Sequence, residues 1–113
     1  VGDGTFTYNP VLAGLAACRE YDLPLLTVVL DNGGYAAIRG AYRRYRPQGW
    51  AVSHGEFPGA DFTPQPDYAA LAAGFDATGH RVSLPGETAA AVTDALAQMA
   101  AGRSSIIDVK LAP

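Results

Sequence analysis

Cysteine, basic charge, long apolar runs and the common phosphate-loop signatures are scarce or absent in this chain. The single Cys18 excludes an internal disulfide. In the alanine-rich run from Leu12 to Cys18 it reads as a small buried thiol in a reducing, cytoplasmic setting. Lys+Arg number 8 against 11 Asp+Glu, a formal net charge of −3, so no broad basic field exists to hold DNA or RNA. No apolar run approaches the ~20 residues that span a bilayer, and no charged segment followed by an apolar one opens the chain as a signal peptide would. The expectation is therefore no nucleic acid and no membrane. Neither GxGxxG nor a GxxxxGK loop is present to support a nucleotide-binding module.

What is present suits one globular unit. The chain has 113 residues, 49% hydrophobic and 17% charged, with Gly 13 and Pro 8. That length supports one core burying roughly 65% of the unfolded surface, and the whole of 1–113 is expected to be one domain. Asn9-Pro10 predicts a helix over Asn9 to Tyr21, because Asn caps free N–H groups and Pro suits the first helical position. Leu25 to Leu30 is a continuous apolar run, the pattern of a central strand covered on both faces. A helix is expected over Tyr35 to Tyr45, a long loop over Gly49 to Pro66, a short helix over Asp67 to Phe75 and a strand over His80 to Ser83. Glu87 to Ala101 predicts a helix with Val92, Leu96 and Met99 on its buried face, and Ser104 to Leu111 a last strand. Helices alternating with buried strands imply an α/β fold with a doubly wound parallel sheet and flanking helices. Val1-Gly2-Asp3-Gly4 places a functional-looking loop at the very start, as if a strand had been cut, so the chain is expected to be the C-terminal section of something longer, truncated at its N-terminus.

Gly2-Asp3-Gly4 is expected to end one strand and Asp31-Asn32 the next, with the Asn9 to Tyr21 helix as crossover. Both strand ends then lie on one edge of the sheet, where ligands bind, and adjacent strands are about 5 Å apart. Asp3 and Asn32 can therefore reach one small ion. A carboxylate and an amide oxygen are hard ligands suited to Mg²⁺, which completes its six oxygens from phosphates and water. A backbone carbonyl in the Gly33-Gly34 turn can add a third protein ligand. The glycines are expected to let the backbone approach such a ligand closely. N–H groups of Gly4, Thr5 and the helix start near Tyr35 would face phosphates with favourable dipole sign.

Gly-Asp-Gly alone is an ordinary turn. Followed by a capped helix and a buried strand within residues 5–30 and then by Asp31-Asn32-Gly33-Gly34-Tyr35, it resembles the thiamine diphosphate-binding motif, which runs from GDG to a closing NN. The segments from Thr27 to Arg39 and from Ile106 to Leu111 are similar to the pyrophosphate-binding domain of the acetolactate synthase and 2-oxo acid decarboxylase group. The resemblance covers essentially the whole chain. It implies the thiamine diphosphate-binding fold, with thiamine diphosphate and Mg²⁺ as cofactors. It implies Asp3, Asn32 and the Gly34 carbonyl as metal ligands, and Gly2, Asp3, Gly4, Thr5, Asn32, Gly34 and Tyr35 as the cofactor-binding set. Ala37 and Ile38 fall where benzoylformate decarboxylases place an apolar pair facing the substrate. Pyruvate decarboxylases carry Glu at the position of Ile38, which argues against a simple pyruvate decarboxylase. Asp31 departs from the family, which more often has Asn there; that position is not the usual metal ligand, so Asp31→Asn is expected to be mild.

The activity implied is decarboxylation and/or carboligation of a small-molecule 2-oxo acid, acetolactate synthase-like. The alternatives are a non-ligating, benzoylformate decarboxylase-like enzyme and a noncatalytic Mg-phosphate-binding relative. No catalytic residue is expected in this chain, because in the family the glutamate that activates the aminopyrimidine belongs to a pyrimidine-binding domain of the same enzyme or a partner subunit. The family also implies a homodimer or homotetramer. Arg39, Arg43 and Arg46, with Arg44, recur at helical spacing and read as a solvated or salt-bridged face, with contact to an anionic substrate or acyl carrier as the functional option. His54 reads as an exposed loop histidine and His80 as structural.

Overall fold

Burial is greatest along one short segment near the end of the chain. The computed structural model describes residues 1–111, so Ala112 and Pro113 of the expected domain lie outside the described residues. Strands β1 (Leu26–Asp31), β2 (Thr78–Val82) and β3 (Ser105–Lys110) form one parallel sheet in the order β1-β3-β2. Ser105, Ile106, Ile107 and Asp108 are all buried, as a strand flanked and covered on both sides must be. The centre of the described sheet is thus β3, where the sequence pointed to β1. On its other side β1 takes, among the described residues, Val1 and Gly2: the Leu30 N–H donates to the Val1 carbonyl at 2.7 Å, and Gly2 bridges Leu30 in parallel. Leu30 stays 44% exposed because α5 (Thr88–Ala100) lies chiefly over β2 and β3.

The alternation of side chains along a strand sorts the core into two clusters. Val82 and Ile107 pack with Ala91 and Ala95 of α5, joined by Leu26, Val28, Val92 and Val109. On the opposite face Val29 and Ile106 pack with Phe6 of α1 (Asp3–Tyr8), Leu15 of α2 (Val11–Glu20), and Tyr68 and Ala72 at the start of and within a 3₁₀ helix over Ala69–Phe75. Helices on both faces of a parallel sheet make the fold doubly wound, as expected.

Several local expectations shift. Asn9 does not start α2; its N–H and Nδ2 both donate to the Thr5 carbonyl, at 3.2 and 2.8 Å, closing α1, a helix that begins inside the Gly-Asp-Gly motif. The expected loop from Gly49 to Pro66 contains α4 (Trp50–His54), against which α3 (Ala36–Tyr45) packs. The short helix expected from Asp67 is 3₁₀, with Asp67 Oδ1 accepting the Ala70 N–H at 3.0 Å. The buried face of α5 is Ala91 and Ala95, with Leu96 54% exposed, because small side chains let the helix lie close on β2 and β3. Cys18 is half-buried on α2.

Candidate functional site

Toward the C-terminal ends of β1 and β3 the face beneath α1 turns from apolar to charged. Asp31 and Lys110 are register partners on adjacent strands, so their side chains project side by side. Lys110 Nζ is ion-paired with Asp31 Oδ2, stands 3.0 Å from Asp108 Oδ2 and lies 5.8 Å from the Tyr68 ring centroid. Asp31 Oδ1 accepts the Gly33 N–H at 3.0 Å and a hydrogen bond from Gln65 Nε2. Burial pushes the Asp31 carboxyl upward, but the hydrogen bonds from Lys110 and Gly33, a contact with Asp3 and the Lys110 charge outweigh it and hold it below the usual carboxylate range. For Asp108 burial wins over Lys110, and its carboxyl is raised. Burial disfavours the charged form of Lys110, yet the hydrogen bonds and charges of both carboxylates keep its pKa above the ordinary lysine value.

Above this pair sits the turn from Asp31 to Gly34. Asp3, the first residue of α1, is 1% exposed, and its Oδ2 accepts the Gly34 N–H at 2.7 Å. The two halves of the motif are therefore joined by a direct hydrogen bond. Asn32 is held differently: its side-chain oxygen and its carbonyl each accept from Arg39 Nη2 at 3.2 Å, while Arg39 Nη1 bonds Asp61 Oδ1 at 2.8 Å and the Gly33 carbonyl at 3.4 Å. The Gly34 carbonyl accepts the Ala36 N–H at 3.1 Å. The Tyr35 N–H donates to the Ala60 carbonyl at 2.7 Å and so does not face a phosphate, unlike the expectation from sequence. The first in-helix bond of α1 runs from the Phe6 N–H to the Gly2 carbonyl at 2.9 Å, leaving the N–H groups of Asp3, Gly4 and Thr5 outside the helical ladder.

Two glycines serve chain packing where ligand approach was expected. A Cβ on Gly4 would stand 2.7 Å from the Tyr35 ring, and one on Gly34, whose φ is +144°, would stand 2.1 Å from the Ala60 oxygen. Space is open only beside Gly2 among the site's glycines. The donor set still fits a hard cation, since a carboxylate, an amide oxygen and a carbonyl from one turn are all oxygen ligands. Among the described residues no group of three or more His, Cys, Asp or Glu is arranged to hold a metal ion, so amide, carbonyl and phosphate oxygens must complete such a shell.

Ala37 and Ile38 lie in the first turn of α3, and both are exposed, Ile38 at 49%. The arginine row is not a free basic face: Arg39 braces the turn, Arg43 lies over Phe57 and Arg44 over Tyr45. His54 bonds the Trp50 carbonyl at 2.9 Å and stacks on the Trp50 ring, and His80 pairs with Asp94 of α5 at 3.1 Å. Sequence reasoning passed over Lys110, Asp108, Gln65 and Asp61. A signal existed for the first two: charges at positions 108 and 110 interrupt an apolar strand with a period of two.

Residues 1–109 match the family described as thiamine pyrophosphate enzyme, C-terminal TPP binding domain. A 3D-(3,5/4)-trihydroxycyclohexane-1,2-dione hydrolase of Halalkalibacterium halodurans is 32% identical over 114 residues, covering 100% of this chain and 17% of that protein. Among solved structures, the thiamine diphosphate-dependent 4-hydroxybenzoylformate decarboxylase of Rhodococcus jostii superposes with a TM-score of 0.74 at 30% identity, over 97% of this chain and 18% of its own. Benzoylformate decarboxylase from Polynucleobacter necessarius superposes at 0.72 with 22% identity, over 98% of this chain and 18% of its own, a likeness of fold. The chain spans less than a fifth of each of these proteins.

Proposed function

Because the chain belongs to the family of thiamine pyrophosphate enzyme C-terminal, TPP-binding domains, we propose that residues 1–113 are part of that domain in a longer enzyme, where they hold Mg²⁺ and the diphosphate of the cofactor for chemistry on a 2-oxo acid. The observation that supports this is the hydrogen bond from the Gly34 N–H to Asp3 Oδ2, which joins Asp3 to the turn after β1 that also carries Asn32. Asp3 and Asn32 side-chain oxygens and the Gly34 carbonyl would hold the cation, and the N–H groups of Gly4 and Thr5 at the start of α1 would face the phosphates. Asn32 must then share or exchange its bond to Arg39. Gly2 and Tyr35 flank the site, with the Tyr35 ring against Gly4. When bound, thiamine diphosphate supplies the carbon nucleophile and electron sink that cleavage beside a carbonyl requires. This chain orients that group and presents Ala37 and Ile38 as an apolar wall, while acid–base groups come from elsewhere in the protein.

Decarboxylation of an aromatic 2-oxo acid is the activity that the likeness to the Rhodococcus decarboxylase and the exposed Ala37-Ile38 pair support. Carboligation of the acetolactate synthase type rests on the Thr27 to Arg39 and Ile106 to Leu111 segments alone. A second reading, hydrolysis of a cyclic 1,2-dione, is favoured by the 32% identity to the Halalkalibacterium hydrolase. The test is calorimetric titration of the full-length protein with thiamine diphosphate, with and without Mg²⁺, followed by turnover of benzoylformate, pyruvate and a cyclohexane-1,2-dione. Mg²⁺-dependent binding and CO₂ release from benzoylformate are expected. Tight binding of ATP or NAD with none of thiamine diphosphate would overturn the reading.

A further inference from the structure

The cofactor-binding turn is braced from below by a cation that the proposed ligand set does not include. Asp31 has no exposed side-chain surface and Lys110 has 23%. Lys110 reaches Asp31 Oδ2, Asp31 Oδ1 accepts the Gly33 N–H, and the next N–H, that of Gly34, is held by Asp3. A continuous line of contacts therefore runs from β3 into the turn that carries Asn32 and Gly34. Three buried carboxylates lie close by, Asp31 and Asp108 against the one ammonium and Asp3 in contact with Asp31. Uncompensated negative charge there opposes any incoming anion, and removal of one partner from a buried pair leaves the other charge unpaired.

Resting on the reading that this turn binds a diphosphate with its cation, we infer that Lys110 is a positioning residue of the site. Through Asp31 it fixes the Asp31–Gly34 turn, and it cancels the charge that Asp31 brings beside Asp3. Asp31 and Lys110 then form a matched pair: an Asn at position 31 keeps an oxygen for the Gly33 N–H without the charge, and needs no lysine. The consequence is reciprocal. Loss of Lys110 alone harms the site, and loss of Lys110 together with the Asp31 charge restores it.

The experiment measures thiamine diphosphate affinity by calorimetry at fixed Mg²⁺ in the full-length protein, for wild type, Lys110→Met, Lys110→Arg and the double variant Asp31→Asn/Lys110→Met, with melting temperatures recorded beside them. Lys110→Met is expected to weaken binding by roughly 10- to 100-fold, the range seen when groups orienting metal ligands are removed. The double variant, which removes both charges of a buried pair together, and Lys110→Arg, which keeps the cation, are expected to stay within about threefold of wild type. A merely structural lysine would lower the number of competent sites and the melting temperature while leaving the dissociation constant alone. A folded Lys110→Met variant with wild-type affinity, or a double variant bound more than tenfold more weakly than wild type, overturns the inference. Should Lys110→Met fail to fold, the double variant decides by the same limits. Wild type that does not bind thiamine diphosphate at all sinks instead the functional reading beneath it.

Discussion

The two faces of the sheet are built from the same strands to different ends. Ile107, Val82 and their neighbours under α5 form an apolar layer, beside which His80 of β2 meets Asp94 of α5. One residue along in β3, Ile106 begins apolar, but Asp108 and Lys110 follow on its face beside Asp31, which Asp3 contacts. Period-two alternation lets one strand serve both layers, so stability and ligand chemistry are separated by direction and not by distance. The comparison predicts that substitutions beneath α5 change melting with little effect on binding, and that substitutions of the charged residues beneath α1 change binding most.

The largest effect expected on the charged face comes from Asp3→Ala. It removes the only carboxylate in the proposed shell and leaves the Gly34 N–H without its acceptor. Mg²⁺-dependent binding of thiamine diphosphate should fall below calorimetric detection in the full-length protein, while the unmet N–H costs about 1–3 kcal/mol of stability. Unchanged affinity would remove Asp3 from the site. On the apolar face, Ile107→Ala should cost about 2–5 kcal/mol through lost burial and a cavity between β3 and α5. Denaturant unfolding measures that loss, and cofactor affinity of the folded fraction should not move; a weakened dissociation constant would show that the faces are coupled.

The apolar face was the easier to read from sequence, and the comparison explains why. Hydrophobic runs announce strands, and the runs ending at Leu30 and at Val109 both proved to be strands of a parallel sheet. Asp3 and Asn32 were singled out because the motif spaces them, and the structure brings Asp3 to the Asn32–Gly34 turn. Its details were hidden where one residue serves neighbours distant in sequence. Asn9 looks like a helix start and closes α1, since nothing in sequence announces a six-residue helix inside Gly-Asp-Gly. Lys110 and Asp31 lie 79 residues apart in the chain, and only the strand order makes them neighbours. Leu96 misled for a different reason: helix periodicity gives a stripe, but the closeness of α5 to the sheet selected Ala91 and Ala95 as the buried one.

A smaller effect tests whether the wall of the site reaches the substrate. Ala37→Phe adds bulk at the exposed start of α3. If Ala37 lines the substrate, kcat/KM for benzoylformate should fall relative to pyruvate by about 1–3 kcal/mol, or roughly 10- to 200-fold, with cofactor affinity nearly unchanged. Equal loss on both substrates, or none on either, returns Ala37 to an ordinary helix surface.

The smallest effect lies at the outer brace, where Asp61 holds Arg39 in a position that charge pairs rather than packing maintain. Asp61 Oδ1 accepts from Arg39 at 2.8 Å and its Oδ2 accepts the Phe57 N–H at 3.2 Å. The Arg39 hydrogen bond, against partial burial and helped by the Phe57 N–H and the charges of Arg39 and Arg43, holds its carboxyl below the usual range. A folded pKa below the unfolded value means that the unfolded chain binds the proton more readily. The contribution of Asp61 is therefore complete above the unfolded value near ~3.9 and is lost as pH falls through the lower folded one. The side chain is 35% exposed, so solvent and salt screen the pair and its worth is about 1 kcal/mol or less. Melting curves from pH 6 down to pH 3 should show wild type losing slightly more stability than Asp61→Asn, with the gap closing in high salt. A gap that is absent, or that opens above pH 5, would mean that Arg39 does not depend on Asp61 to hold Asn32.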